Sequence, residues 1–380
     1  MEIQNETPYN RLVLIGNGFD VALGLQTSYT DFILDYIKSG CINAIENKID
    51  KTCDKELMNF IYKNNINISV EKLRKFNDVN KLLEYTTNKF YIDYKIGFTR
   101  YIVNELINKR WVDIEQSYYD NLLRFFKVYV RRNIADKNII LEQIRSLNTA
   151  METITDELKK YLIKQQNHFQ INYLESPSTN IIYKTIEPLS KDVAALVSKH
   201  NRHNPPHKVL FLNFNYTNIL NILLNISSVQ EKPIFLQIHG DVNDILNPII
   251  FGYGDDTGDE YKELENANEM ELLKKIKSFQ YPSTHNYHKL LNFIESEDFD
   301  VFVIGHSCGL SDRTLLKTIF EHKNCLAIQI FHYKQPENEA KQEHFEKRIE
   351  ISRHFSDKVL MRERILPFDP FCHIPQTKKE

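Results

Sequence analysis

The residues best suited to chemistry sit directly after short apolar runs. The first run, Arg11-Leu-Val-Leu-Ile, opens into Gly16-Asn17-Gly18-Phe19-Asp20. Glycines there let a strand turn sharply into a helix whose N–H groups hold phosphate, so a nucleotide is expected at this turn. The dinucleotide fingerprint would place a third glycine at position 21, which is Val; the next glycine is Gly24. A tight turn without a ligand is the competing reading. Four further polar segments follow apolar runs: Asn213-Phe-Asn-Tyr-Thr217-Asn218, His239-Gly240-Asp241, Gly252-Tyr-Gly-Asp255-Asp256 and Gly305-His306-Ser307-Cys308-Gly309.

The elements that must position these groups follow from the runs themselves. Lys208–Asn213, Pro233–His239, Pro248–Gly252, Asp300–Gly305 and Cys325–Phe331 read as short strands, and the segments between them as helices or loops. Uninterrupted apolar strands alternating with helices imply a parallel sheet covered on both faces, and such sheets bind ligands beyond their strands' carboxyl ends. Between Asp31 and Lys199 the only glycines are Gly40 and Gly97 and the only prolines Pro177 and Pro188, which predicts a mainly helical stretch. Trp111, Ile114, Tyr118, Leu122 and Phe125/Phe126 recur at helical spacing, as do Met151, Ile154, Leu158 and Tyr161/Leu162. The polar segment from Cys41 to Asn80 reads as exposed loops or short helices. The expected division is residues 1–30 and 200–380 as a Rossmann-like α/β nucleotide-binding core, with 31–199 as a helical insertion after the first strand–helix unit.

Composition narrows the class. The chain has 380 residues, a formal net charge of −3 and 26% charged residues, so nothing marks it as a nucleic-acid binder. Its five cysteines include no Cys-x-x-Cys pair, which argues against a zinc site and fits a reducing cytosol. Without an 18-residue apolar run or a signal-like start, a cytoplasmic protein is expected. Asp255-Asp256 with Asp259-Glu260 could suggest a cation, but the spacing lacks the alternation of a calcium loop and reads as a solvated acidic loop. No metal is expected.

The run Ile-Gly-Asn-Gly-Phe-Asp-Val-Ala-Leu-Gly-Leu-Gln-Thr-Ser-Tyr-Thr-Asp-Phe resembles the N-terminal signature of the bacteriophage abortive-infection AbiH family. Trp111-Val-Asp-Ile-Glu115, Asn213-Phe-Asn-Tyr-Thr217, Ile238-His-Gly240 and Gly305-His-Ser307 fit the same family, so the resemblance spans nearly the full chain. More remotely, four strand ends resemble sirtuin-like NAD-consuming domains: Gly16 and Gly24 keep their glycine separation, and Asn215, His239 and Gly305/Ser307 occupy matching places. Thr217 stands where that pattern often has Asp, Gln26-Thr27-Ser28 replaces Pro-Asp-Phe, and the zinc module is missing, so protein deacylation is disfavoured.

What these resemblances imply is an antiphage effector that hydrolyses NAD, here a substrate, to ADP-ribose and nicotinamide. Cleaving the nicotinamide–ribose bond passes through an oxocarbenium-like state. A neutral histidine, His239, suits the acceptor near the ribose hydroxyls. Asn215 positions the water or the ribose without adding charge. Gly16, Asn17, Gly18, Phe19 and Asp20 would hold the pyrophosphate end, with Gly240 beside the histidine and Gly305, His306 and Ser307 at the adenosine ribose. Each has a plainer reading: His239 as a capping histidine, Asn215 closing an Asx-turn, Asp20 capping the helix. A phage-derived trigger and gating by homo-oligomerisation are expected of a toxic activity.

Two rivals stand beside this. Gly305-His-Ser-Cys-Gly309 is formally a nucleophile elbow, and Ser307, Asp357 and His373 would give an α/β serine hydrolase in the order Ser, Asp, His. The chain after Gly309 is short for that fold, and the hydrolase leaves Gly16-Asn17-Gly18 and Asn215 without a role. A non-catalytic nucleotide sensor or scaffold would need the glycines but not His239.

Overall fold

A computed structural model describes residues 8–63, 68–132, 134–169, 182, 184–187, 205–227, 232–256, 258–374 and 376. Its strands are β1 (Asn10–Ile15), β2 (Thr52–Asp54), β3 (Met58–Tyr62), β4 (Phe90–Tyr94), β5 (Val209–Asn213), β6 (Ile234–Gln237), β7 (Phe299–Ile304), β8 (Cys325–Ile330), β9 (His332–Tyr333) and β10 (His373–Ile374). The chain divides into two compact units, one of residues 1–25, 162–258 and 276–380, the other of 26–161 and 259–275.

The first unit is an α/β structure built on a five-stranded sheet in the order β6-β5-β1-β7-β8. Every pairing in it is parallel. In chain order the five strands lie 3-2-1-4-5, so the direction of winding reverses between β1 and β7. Alternate residues feed two cores. Leu12, Leu14, Leu210, Leu212, Val301 and Val303 join one, with Leu290 and Ile294 of helix Asn286–Ser296 and Leu315 and Ile319 of helix Arg313–Phe320. Val13, Ile15, Phe211, Phe302 and Ile304 join the other, with Phe19 of helix Asn17–Ala22 and Ile219 and Leu223 of helix Ile219–Ile226. Burial on both faces is why these strands are mostly apolar. Among the buried polar exceptions, Arg11 grips Asp300, its register partner, through two 2.9 Å hydrogen bonds, and its guanidinium lies 3.9 Å from the centre of the Phe302 ring.

Pro248–Gly252, although apolar, is not a strand. Pro248 has no N–H to give a ladder, and Ile250 N–H donates instead to the His239 carbonyl at 2.9 Å. Gly240, at φ +85°, lets the chain double back there, since a Cβ on it would lie 2.1 Å from Pro248 O.

The second unit combines helices Tyr29–Glu46, Gly97–Lys109 and Ile114–Tyr129 and most of helix Ile134–His168 with an antiparallel sheet, β2-β3-β4. Ser28 and Asp31 form a reciprocal capping box that starts the first of these helices. Two sequence expectations are corrected here. Cys41 to Asn80 holds β2 and β3 as well as short helices, because Met58 and Phe60 bury while Asn59 between them is only partly covered. Trp111 lies outside the amphipathic helix and is 61% exposed; Asp113 caps that helix by accepting the Gln116 N–H. Among the described residues no helix is long and apolar enough to cross a membrane.

Candidate functional site

The turn after β1 is wedged against the end of β7. Gly16 N–H donates to Ile304 O (3.1 Å), Gly18 N–H to Gly305 O (2.8 Å) and Phe19 N–H to Gly16 O (2.9 Å). A Cβ on Gly16 would lie 2.4 Å from His306 Cα, and one on Gly305, at φ +65°, 2.3 Å from Phe19 N. These glycines therefore serve a close approach of two backbones where the sheet order reverses. A phosphate arriving here meets three N–H groups already engaged. Tyr333 adds a clamp by donating its hydroxyl to Gly18 O at 2.9 Å.

Asp20 faces away from the solvent and towards the loop after β5. It is 1% exposed, and its two carboxylate oxygens accept from Asn215 Nδ2 (2.9 Å) and Thr217 Oγ1 (2.5 Å). No side chain caps the Asn17–Ala22 helix, so the capping role open to Asp20 is not the one it takes. Burial pushes its pKa up to about 7, against the opposing pull of the Thr217 and Asn215 hydrogen bonds. The loop itself is fastened from both sides. Asn213 Oδ1 accepts the Asn215 N–H at 3.2 Å, and Gln237 Nε2 donates to the carbonyls of Asn215 and Thr217 at 3.1 Å. The Asx-type turn thus belongs to Asn213, which leaves the Asn215 side chain for Asp20. That bond orients the amide, turning Nδ2 to the carboxylate and Oδ1 away.

A second buried cluster gathers around Asp312. Its Oδ1 lies 2.7 Å from Lys277 Nζ and 3.1 Å from His239 Nε2, and its Oδ2 lies 3.5 Å from His306 Nε2. The His239 contact is close but too oblique for a directed hydrogen bond. Phe214 packs edge-on against both rings, with its centroid 5.1 Å from that of His239 and 4.1 Å from that of His306. Tyr216 and Tyr281 stack on His239 at 6.2 and 6.4 Å. Burial first, then Lys277, lowers the His239 pKa to about 4; burial also lowers that of His306. Lys277 and the two histidines hold Asp312 well below the usual carboxylate range despite its burial.

The structure thus brings together Asp20 with Asn215 and Thr217, the Gly16–Phe19 turn with Gly305 and His306, and His239 with His306. Asp312 and Lys277 were not foreseen. Asp312 lies three residues beyond the Gly305–Gly309 segment, at the start of the following helix, and Lys277 sits in the run Lys274-Lys275-Ile276-Lys277, which reads as a solvated face. Ser307 is exposed, Asp357 caps helix Lys358–Arg364, and His373 pairs with His332 between β10 and β9. Asp255 pairs with Arg313 at 2.9 Å, and Asp256 accepts from Thr314 Oγ1 at 2.5 Å. Among the described residues no group of three His, Cys, Asp or Glu is placed to hold a metal ion.

These features define an α/β protein whose candidate site lies at the carboxyl edge of a parallel sheet. The chain belongs to the family described as bacteriophage abortive infection AbiH, which matches residues 12–333. Membership implies a role in phage abortive infection, and the matched range ends on Tyr333, the residue that clamps Gly18. No curated protein matches the chain.

Proposed function

We propose that this AbiH protein is an effector that hydrolyses NAD to ADP-ribose and nicotinamide, with Asn215 and His239 as its catalytic residues. The observation that carries the reading is the buried Asp20–Asn215 hydrogen bond beside the reversal of the sheet. The 3-2-1-4-5 order is that of Rossmann sheets, which bind dinucleotides at such a reversal. We read the core as a sirtuin-like variant of that sheet, with residues 31–199 inserted after its first strand–helix unit. Thr217 replaces an acid of the sirtuin-like pattern, but its hydroxyl donates to Asp20, which brings a carboxylate to this loop from the helix after β1.

As the nicotinamide–ribose bond breaks, the ribose carbon becomes cationic. Asn215 Oδ1, turned away from Asp20 by the bond that Nδ2 makes, orients the attacking water or a ribose hydroxyl. Asp20, titrating near pH 7, stabilises positive charge through the amide it holds. His239 stays neutral above about pH 4 and accepts the proton that water gives up as it bonds to the ribose carbon. Nicotinamide leaves with the electron pair of the broken bond. Gly16, Asn17, Gly18, Phe19, Gly240, Gly305, His306 and Ser307 border the nucleotide; with three N–H groups engaged, the glycines contribute close backbone approach more than a phosphate cradle. A phage-derived trigger and a homo-oligomeric gate complete the reading.

One observation favours a nucleotide sensor without turnover: His239 is 3% exposed and faces Asp312. The experiment that separates the readings follows nicotinamide release and NAD binding in purified protein, with and without extract of phage-infected cells. Release that disappears in His239→Ala and Asn215→Ala supports hydrolysis. Tight NAD binding with no release under either condition identifies the sensor. Ester cleavage lost in Ser307→Ala, with no effect of NAD, identifies the serine hydrolase.

A further inference from the structure

Aspartate at the N-cap of a helix normally accepts one of the free N–H groups of the first turn. Asp312 is the N-cap of helix Arg313–Phe320 and makes no such bond. Its carboxylate is turned instead towards Lys277 and His239, which lie far from it in the sequence, and towards His306 of the preceding loop, all within the same unit. All four side chains are buried. One carboxylate and one ammonium then sit against two imidazoles, and the cluster stays near electrical neutrality only if both rings are uncharged.

We propose that Asp312 is a positioning residue: one carboxylate, steadied by Lys277, dictates which ring nitrogen of both His239 and His306 carries the proton. His306 is constrained from both sides of its ring. Nδ1 accepts the Cys308 N–H at 3.0 Å, so the proton of the neutral ring is on Nε2, the nitrogen facing Asp312 Oδ2. For His239 the negative Oδ1 lies 3.1 Å from Nε2, and although the contact is oblique, that charge disfavours a bare lone pair on Nε2 and favours a proton there. Nδ1 of His239 is therefore the bare, basic nitrogen. The charged and titratable groups around His239 are Asp312, Lys277 and His306, with Tyr216 and Tyr281 stacked on its faces. Lys277 offsets the charge of Asp312, so the carboxylate orients the ring without drawing a second proton onto it.

The inference rests on the reading of His239 as the proton acceptor in NAD cleavage, and the test separates the two. Full-length protein labelled with ¹⁵N in histidine reports the protonated nitrogen of each ring by NMR, alongside the pH profile of nicotinamide release. The wild type is expected to show the Nε2–H form for both rings across pH 5–8. In Asp312→Asn, at least one ring is expected to change its protonated nitrogen, and release is expected to fall by about 10²-fold or more. Should Asp312→Asn fail to fold, Lys277→Met keeps the carboxylate and removes its counter-charge. The cluster should then take up a proton at higher pH than the wild type, moving the acid limb of the release profile the same way. Ring signals unchanged in Asp312→Asn, or a cluster that titrates unchanged in Lys277→Met, would overturn the proposal. Altered ring signals in a protein that never releases nicotinamide would leave Asp312 as the positioning residue and reject NAD cleavage instead.

Discussion

Asp20 and Asn215 are 195 residues apart in the chain and are joined side chain to side chain at 2.9 Å. The bond ties the helix after β1 to the loop after β5, so the two strand ends are held as one surface. It also fixes the Asn215 amide, with Nδ2 on the buried carboxyl and Oδ1 turned away from it.

Replacing that carboxyl should reveal its cost. Asp20 has a folded pKa of about 7 against an ordinary 3.8, so between those values the folded protein keeps a proton that the unfolded chain releases, and stability falls as pH rises. Asp20→Asn removes this dependence. Its stability relative to wild type should rise by about 1.4 kcal/mol per pH unit between pH 4 and pH 7 and level off above. Urea unfolding at pH 5, 6, 7 and 8 measures it, and a difference that stays constant with pH would contradict the assignment.

The two glycine sites should behave oppositely. Gly305→Ala combines φ +65° with a Cβ 2.3 Å from Phe19 N, so a loss of at least about 2 kcal/mol is expected. Gly97→Ala, where a Cβ would meet nothing within 4 Å at the start of a helix, should be neutral or stabilising. Thermal unfolding of the pair distinguishes close approach at the site from a general intolerance of alanine.

Acid should weaken the fold before any surface ion pair is lost. His239, His344 and His354 are buried with pKa values lowered to about 4, in each case chiefly by burial. In the unfolded chain they protonate near 6.5, so their contribution is complete above that value and is lost as pH falls through about 4. Three such groups outweigh the single opposite contribution of Asp20, so the unfolding midpoint should drop between pH 6.5 and pH 4. His354→Gln should flatten the drop; an unchanged slope would remove His354 from the account.

Tyr333→Phe removes only the hydroxyl that donates to Gly18 O. The expected loss is about 1 kcal/mol, without a change in the cooperativity of unfolding. Hydrogen exchange should locate the loosening at Gly16–Phe19, and protection there equal to wild type would mean the clamp is idle.

Much of the sheet is legible in the sequence because β1, β5 and β7 are buried on both faces and so appear as unbroken apolar runs. The same rule misreads Pro248–Gly252, where a missing N–H and the reversal at Gly240 override an equally apolar pattern. The β2-β3-β4 sheet escapes notice because its strands are short and only Met58, Phe60 and Phe90 in them are buried. At the site, the strand ends point to the carboxyl edge, but choosing between a cap and a contact for Asp20 requires knowing what faces it across the sheet. Lys277 shows the limit most plainly: beside two other lysines, its type says surface, and only the fold encloses it.

The central place of β1 has a consequence for synthesis. This strand is made well before its ladder partners, Val209–Asn213 and Phe299–Ile304, so its apolar backbone must wait, unpaired on both edges, until at least the first of them is translated. An exposed strand of this kind invites wrong partners, and shielding by a chaperone on the ribosome is the expected remedy. The same delay is a safeguard. A nascent chain that has not yet reached Phe299 has neither the β7 wall nor Asp312, so it cannot present the candidate site.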